Sequence, residues 1–154
     1  MKYFEIGNED WHGDHKKIRA VPAQEYGRRY LKYYDAMKAV DSLIQIGAIF
    51  CACIPEWDKP VAHLIKDKID FAVVHVYLGP DEITEIITEM AAKDIFRKTL
   101  VMPSHRAKSD AQLLQSLLKE TSGKNIPLAV TEYNGGFAQE KPVPYRHCLG
   151  TALA

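Results

Sequence analysis

Apolar runs alternate along the chain with segments in which apolar residues recur every three or four positions. The runs are rich in β-branched and aromatic residues and are bounded by glycine, proline or polar residues, which is typical of strands. They cover residues 2–7 (KYFEIG), 44–53 (IQIGAIFCAC), 69–77 (IDFAVVHVY) and 127–134 (PLAVTEYN). We predict that each run forms a β-strand.

The segments between the runs carry the spacing of helices. After Pro22, a helix is predicted with a buried face made of Tyr26, Tyr30, Tyr33, Met37 and Val40. Pro60 predicts the start of a second, short helix. Two more are predicted before the fourth strand, one after Pro80 with Ile83, Ile86, Ile87 and Met90, and one with Leu113, Leu114, Leu117 and Leu118 that ends at Gly123. The final YRHCLGTALA is predicted to begin another helix.

Strands joined by helical crossovers predict an α/β fold with a parallel sheet, and 154 residues suit one domain over residues 1–154. Ligands of such sheets bind beyond the carboxyl ends of the strands. Polar residues stand at these ends: Asn8 and Glu9 after the first strand, His75 and Tyr77 in the third, and Glu132 in the fourth. We therefore expect two glutamates at one edge of the sheet.

A pair of carboxylates is what glycosidic bond hydrolysis requires. One carboxylic acid protonates the leaving oxygen and one carboxylate attacks or supports the anomeric carbon. An isolated glutamate is more often a solvated loop residue, and an isolated His75 or Tyr77 is more often a buried side chain with its polar end satisfied. The pairing of the motifs favours the catalytic interpretation.

The motifs EIGNE (residues 5–9), HVY (75–77) and TEYN (131–134) resemble segments of the glycoside hydrolase clan built on the (β/α)8 barrel. In that clan an Asn-Glu pair ends the fourth barrel strand and a nucleophilic Glu ends the seventh. With AVDSLIQIGA (39–48) and YFEIGNEDW (3–11), the chain looks most like the α-L-arabinofuranosidases of family 51. The resemblance implies a partial barrel that covers the fourth to seventh strands.

The resemblance also implies roles for the site residues. Glu132 would be the nucleophile and Glu9 the general acid/base of a retaining glycosidase. Asn8 would bind the sugar hydroxyl beside the reacting carbon, and His75 and Tyr77 would orient Glu132 and help to keep it ionised. Independently of the resemblance, the aromatic ring of Trp11, close behind Glu9, suits stacking on the apolar face of a sugar, and packing on the barrel rim is an equal alternative. The expected substrate is an arabinose-containing oligo- or polysaccharide.

The match leaves out about half of a barrel that has eight strands. An open sheet exposes its edges and one apolar face, so we expect self-association through the sheet edges. An incomplete pocket also excludes water poorly, so most of the rate enhancement should be lost in an isolated segment. The alternatives are an inactive carbohydrate-binding or structural remnant, or another glycosidase of the clan, such as a xylosidase or glucanase.

Composition and charge limit the classes of partner that the chain is expected to bind. The 20 Lys and Arg residues balance 20 Asp and Glu residues, which gives no field for nucleic acid or an anionic membrane. No segment reaches the length of a membrane span, and the absence of a signal-peptide pattern at the amino terminus slightly favours the cytoplasm while leaving the compartment open.

Two clusters invite a metal-site interpretation. His12, Asp14 and His15 are interpreted as a solvated loop, and Cys51 with Cys53 as a reduced, buried pair. We therefore expect no metal and no cofactor.

Overall fold

The computed structural model describes the backbone of residues 2–12, 19–78 and 89–135, and the side chains of residues 2–12, 19–77 and 105–133. Its elements are β1 (Tyr3–Ile6), α1 (Ala23–Val40), β2 (Gln45–Phe50), α2 (Pro55–Ile65), β3 (Phe71–Leu78), α3 (Glu89–Ser122) and β4 (Leu128–Gly135). The strands form one sheet in the order β1-β2-β3-β4, and the β1–β2 and β2–β3 pairs are parallel. The predicted α/β fold with helical crossovers is confirmed.

The chain divides into two compact units. One contains Met1–Val74 and Asp110–Thr131, and the other contains His75–Ser109 and Glu132–Ala154. The boundary falls inside β3, α3 and β4. Because it cuts continuous elements, it does not decide the number of domains, and the single domain over residues 1–154 stays a prediction.

Two buried tyrosines of α1 attach this helix to the sheet. The Tyr26 hydroxyl donates to the Ile6 carbonyl at 2.7 Å and accepts from the Ile49 N–H at 2.9 Å. The Tyr30 hydroxyl donates to the Ile46 carbonyl at 3.1 Å. Burial raises the pKa of both phenols, so the hydroxyls stay protonated and able to donate. These bonds fix the height of α1 above β1 and β2.

Asp70 makes a second connection between α1 and the sheet. Its carboxylate accepts from the Ile46 N–H at 2.8 Å and lies 2.9 Å from the Lys38 ammonium. The Tyr34 hydroxyl lies 3.4 Å from the same carboxylate. The start of β3 is thereby tied to the end of α1 through side chains that are all partly shielded from water.

The buried face of α1 differs from the predicted one. Tyr26 and Tyr30 are buried as predicted, but Tyr33 and Val40 are 59% and 89% exposed. An α-helix has 3.6 residues per turn, so the buried face of α1 continues from Tyr30 to Tyr34 rather than to Tyr33. Tyr33 and Val40 were predicted to be buried because they are apolar, and this part of the prediction is wrong.

The second helix starts earlier than predicted. Pro55 occupies its first turn, where a missing N–H costs no hydrogen bond, and Pro60 lies inside the helix. The apolar face of α2 buries Trp57, Val61 and Ile65. Both prolines were compatible with a helix start, and the sequence pattern favoured the wrong one.

The segment between β3 and β4 contains one long helix in its described part. The predicted helix of Leu113 to Leu118 is the carboxyl-terminal part of α3, which ends just before Gly123 as predicted. The predicted helix after Pro80 lies largely, and the predicted carboxyl-terminal helix wholly, outside the described residues. Among the described helices, none combines the length and hydropathy needed to cross a membrane.

An apolar groove lies in the first unit, between residues of β1, the start of β3 and β4. The Phe71 ring lies over Gly47, where an added Cβ would approach the ring to 2.3 Å, so any other residue at this position would displace the ring. The Tyr3 ring meets Phe71 edge to face, with centroids 6.1 Å apart, and is 69% exposed. The groove has a volume of about 360 Å³ and is lined by Tyr3, Phe4, Glu5, Phe71, Pro127, Leu128, Ala129 and Thr131.

The loop from β2 to α2 is held by the buried Asp58. The Asp58 carboxylate accepts from the Cys51 N–H at 2.9 Å, and also from the backbone N–H of Ala52, whose φ is +63°. Cys51 and Cys53 are joined by a disulfide and Cys53 is exposed, so the expected reduced, buried pair is wrong. The reason is that β2 ends at Phe50 and the left-handed Ala52 turns the chain, which removes the alternation of a strand.

Burial of Asp58 predicts a pH-dependent stability. Desolvation raises the pKa of its carboxyl to about 6, so the folded chain binds a proton that the unfolded chain has already released. The resulting stabilisation is present below pH 4 and is lost as the pH rises through 6. Between pH 4.5 and 7.5, the stability of Asp58→Asn relative to the natural chain should rise by about 2 kcal/mol in urea unfolding. The same substitution at exposed Asp67 is the control, and equal pH trends in both variants would contradict this assignment.

Candidate functional site

The loop after β1 begins at a glycine that no other residue could replace without strain. Gly7 has a φ of +95°, and a Cβ there would lie 3.0 Å from the Asp10 carboxylate, the Ile49 side chain and the Tyr26 ring. Tyr26 is the residue that contacts the last pair of the β1–β2 ladder, where Ile6 lies opposite Ala48. The direction in which the chain leaves the sheet is therefore fixed.

Glu9 follows in a left-handed backbone conformation, with a φ of +49°. The His12 N–H donates to the Glu9 carbonyl at 3.1 Å and closes a turn. This turn brings the two side chains together: His12 Nε2 lies 2.9 Å from Glu9 Oε2, and the Glu9 side chain is 18% exposed. A carboxyl that is partly shielded and held by a nitrogen is suited to proton transfer.

Asp10 supports this turn from the other side. Its half-buried carboxylate accepts from the Asn8 N–H, and its carbonyl accepts from the Val21 N–H at 2.8 Å. Burial raises the pKa of the Asp10 carboxyl, and the Asn8 bond and the charge of Arg29 oppose that rise. The Asp10 side chain thus holds the Gly7–Asn8 peptide, at the start of the loop that carries Glu9.

Trp11 packs against the protein in this structure. Its ring meets Trp57 of α2 edge to face, with centroids 5.8 Å apart, and the Trp57 indole N–H donates to the Val21 carbonyl at 3.0 Å. Trp11 is nevertheless only partly buried. These contacts favour the interpretation that Trp11 packs on the rim. Part of Trp11 is exposed, so stacking on a sugar stays a prediction.

The second unit carries the other predicted carboxylate. The Tyr77 hydroxyl donates to Glu132 Oε2 at 2.7 Å, and His75 Nδ1 lies 3.6 Å from the same oxygen. The His75 side chain is 3% exposed, whereas that of Glu132 is 41% exposed. His75 and Tyr77, the two residues predicted to lie beside Glu132, therefore both approach the same carboxylate oxygen, and the Glu132 side chain is partly exposed.

The structure thus places Asn8, Glu9 and Trp11 in one loop, and His75, Tyr77 and Glu132 in one cluster on β3 and β4. The contacts of Asp10 and His12 within this loop were not predicted from the sequence. The three-residue step from Glu9 to His12 was the available signal, since a turn that short brings its first and fourth residues together. Asp14 and His15 of the proposed solvated loop lie outside the described residues.

Known proteins match this chain through its fold. Neither family sequence models nor characterised protein sequences gave a match. Among solved structures, the α-L-arabinofuranosidase from Thermotoga maritima in complex with arabinose superposes over 90% of the chain, with a TM-score of 0.64 and 24% identity. The chain has the fold of one segment of such enzymes.

Two further solved structures agree with this result. The family 51 enzyme AbfB from Bifidobacterium longum matches 88% of the chain, with a TM-score of 0.66 and 22% identity. The family 51 arabinofuranosidase from Xanthomonas axonopodis pv. citri matches 93%, with a TM-score of 0.66 and 19% identity. The chain spans only 26% to 28% of the length of these three proteins. The predicted resemblance and the partial (β/α)8 barrel are both confirmed.

Removal of the Tyr26 hydroxyl tests what supports the Glu9 loop. Tyr26→Phe leaves the Ile6 carbonyl and the Ile49 N–H without this partner in a buried site. We expect a loss of about 1 to 3 kcal/mol in the free energy of unfolding, measured with urea. Tyr33→Phe changes an exposed ring in the same helix and should cost almost nothing. Equal small losses in the two variants would show that the hydroxyl does not support the loop.

Proposed function

We propose that this chain is the catalytic segment of a retaining glycoside hydrolase of the α-L-arabinofuranosidase type. The observation that carries the proposal is the Glu132 carboxylate, which accepts a 2.7 Å hydrogen bond from Tyr77 and is still 41% exposed. Glu9, which is only 18% exposed, supplies the second carboxyl that the reaction needs. The fold shared with three arabinofuranosidases supports the choice of sugar.

In the first half of the reaction, a Glu132 oxygen attacks the anomeric carbon and forms a glycosyl ester. The bond from that carbon to the leaving oxygen breaks, and Glu9 gives its proton to the leaving oxygen. The hydrogen bond from Tyr77 holds Glu132 in a single orientation, which reduces the entropy lost on reaching the reacting geometry. Asn8 is proposed to bind the hydroxyl next to the reacting carbon, and Trp11 the sugar face.

In the second half, Glu9 is a carboxylate and acts as a base. It removes a proton from a water molecule, whose oxygen attacks the anomeric carbon and releases Glu132. Two inversions at the same carbon retain its configuration. Neither half requires a metal or a cofactor, and the substrate is proposed to be an arabinose-containing oligo- or polysaccharide.

Hydrolysis of 4-nitrophenyl α-L-arabinofuranoside tests the two roles separately. We expect Glu132→Ala to abolish turnover, and Glu9→Ala to lower it by at least about a hundredfold because the second half loses its base. Added azide needs no base, so it should restore turnover in Glu9→Ala and give a glycosyl azide of retained configuration. In Glu132→Ala, azide can only take the place of the missing nucleophile, so any glycosyl azide formed there should have the inverted configuration. Glu120→Ala, at an exposed position on α3, should retain full activity.

The alternatives predict different results in the same experiment. Absence of turnover in the natural chain, with heat of arabino-oligosaccharide binding in calorimetry, would favour a carbohydrate-binding remnant. The span of about a quarter of the relatives' length is the observation in favour of that alternative. Turnover of xylosides or glucosides in preference to arabinosides would assign another activity of the clan.

We further propose that a second copy of the chain covers the apolar groove lined by Tyr3, Phe71 and Leu128. In sedimentation experiments, the dimer fraction should rise with protein concentration because burying this surface is favourable. Tyr3→Glu places a charge in the groove and should shift the chain toward the monomer. Leu43→Glu changes an exposed residue in the turn before β2 and serves as the control. A natural chain that stays monomeric at all concentrations would refute the dimer.

A further inference from the structure

His12 has no role in the mechanism above, although it contacts one of its two carboxyls. Its Nε2 lies 2.9 Å from Glu9 Oε2. The backbone bond from His12 N to Glu9 O, at 3.1 Å, fixes the same pair a second time. The neighbouring Trp11 ring is packed on Trp57. The contact between His12 and Glu9 is therefore supported by the turn and by the loop around it.

We propose that His12 is a positioning residue that selects which oxygen of Glu9 carries the transferable proton. The catalytic part of this inference rests on the proposed function. The selection itself is a property of the Glu9–His12 pair, and it can be measured in the absence of any substrate.

The selection follows from the hydrogen-bonding capacity of the two groups. A neutral imidazole has one N–H donor and one acceptor nitrogen. When Nε2 carries the hydrogen, it donates to Glu9 Oε2, which then behaves as the carbonyl oxygen of the acid. The proton of the acid form consequently resides on Oε1, from which it can pass to the leaving oxygen.

The same bond serves the second half of the reaction. Once Glu9 has lost its proton, the Nε2–H of His12 stabilises the carboxylate until Glu9 takes a proton from the attacking water. The opposite tautomer would have the reverse effect, because a bare Nε2 would accept the Glu9 proton and hold it away from the sugar. The low exposure of Glu9, 18%, limits competition from water for this bond.

Leaving-group dependence measures the catalytic consequence. The parameter kcat/KM reports the first half of the reaction, and acid assistance matters most for a poor leaving group. In His12→Phe, we expect kcat/KM to fall at least about tenfold for an arabino-oligosaccharide and less than about threefold for the 4-nitrophenyl substrate. His12→Gln keeps an N–H donor and should recover most of the loss. His63→Phe, at an exposed histidine of α2, should change neither value.

The tautomer of His12 gives an independent readout. Nitrogen-15 NMR of the natural chain should show the hydrogen on Nε2, and Glu9→Ala should reduce that preference. A hydrogen on Nδ1, or no response to Glu9→Ala, would overturn the proposal whether or not the chain hydrolyses glycosides.

The kinetic results separate the two proposals. Equal losses on both substrates in His12→Phe would reduce His12 to a structural residue. The predicted tautomer without any hydrolysis by the natural chain would refute the proposed function and, with it, the catalytic part of this inference.

Discussion

The hydroxyl of Tyr26 joins three parts of the chain through two hydrogen bonds. It donates to Ile6 at the end of β1, accepts from Ile49 in β2, and belongs to α1. A phenol can do this only while protonated and in a fixed position, and both conditions come from burial of the ring at 2% exposure. Because the one hydroxyl is bonded to a carbonyl of β1 and to an N–H of β2, the helix cannot slide on the sheet without losing both bonds. The positions of β1, β2 and α1 are therefore mutually dependent.

The candidate acid/base lies directly beyond this junction. The chain leaves β1 at Gly7, in a space bounded by the Tyr26 ring, Ile49 and the Asp10 carboxylate. Asp10 then holds the Asn8 peptide, and the turn to His12 closes over Glu9. Each contact removes freedom from a loop of only six residues, from Gly7 to His12. Rigid placement of a side chain by its surroundings is what proton transfer at a fixed atom requires.

Much of this arrangement could be predicted from the sequence. Apolar runs predicted four strands because a parallel strand covered on both faces needs such a run, and resemblance of the strand-end motifs identified the barrel fold. Tyr77 and His75 were expected beside Glu132, and they are in contact with it. What failed depended on small differences in geometry. Pro55 and Pro60 are equally good helix signals in isolation, and the face of α1 shifted by one residue at Tyr33. The roles of Asp10 and His12 depend on positive φ angles at Gly7 and Glu9, which spacing alone does not reveal.

The left-handed backbone of Glu9 also indicates which residue would suit this position if the side chain had no role in catalysis. Side chains with a Cβ are disfavoured in the left-handed region by about 1 kcal/mol, whereas glycine is not and asparagine is less so. A chain judged by folding stability alone would therefore gain from glycine at position 9, where the φ is +49°. Glutamate is not one of the residues, such as glycine, asparagine or aspartate, that adopt this conformation readily. Its presence there is a conformational cost that the fold does not explain.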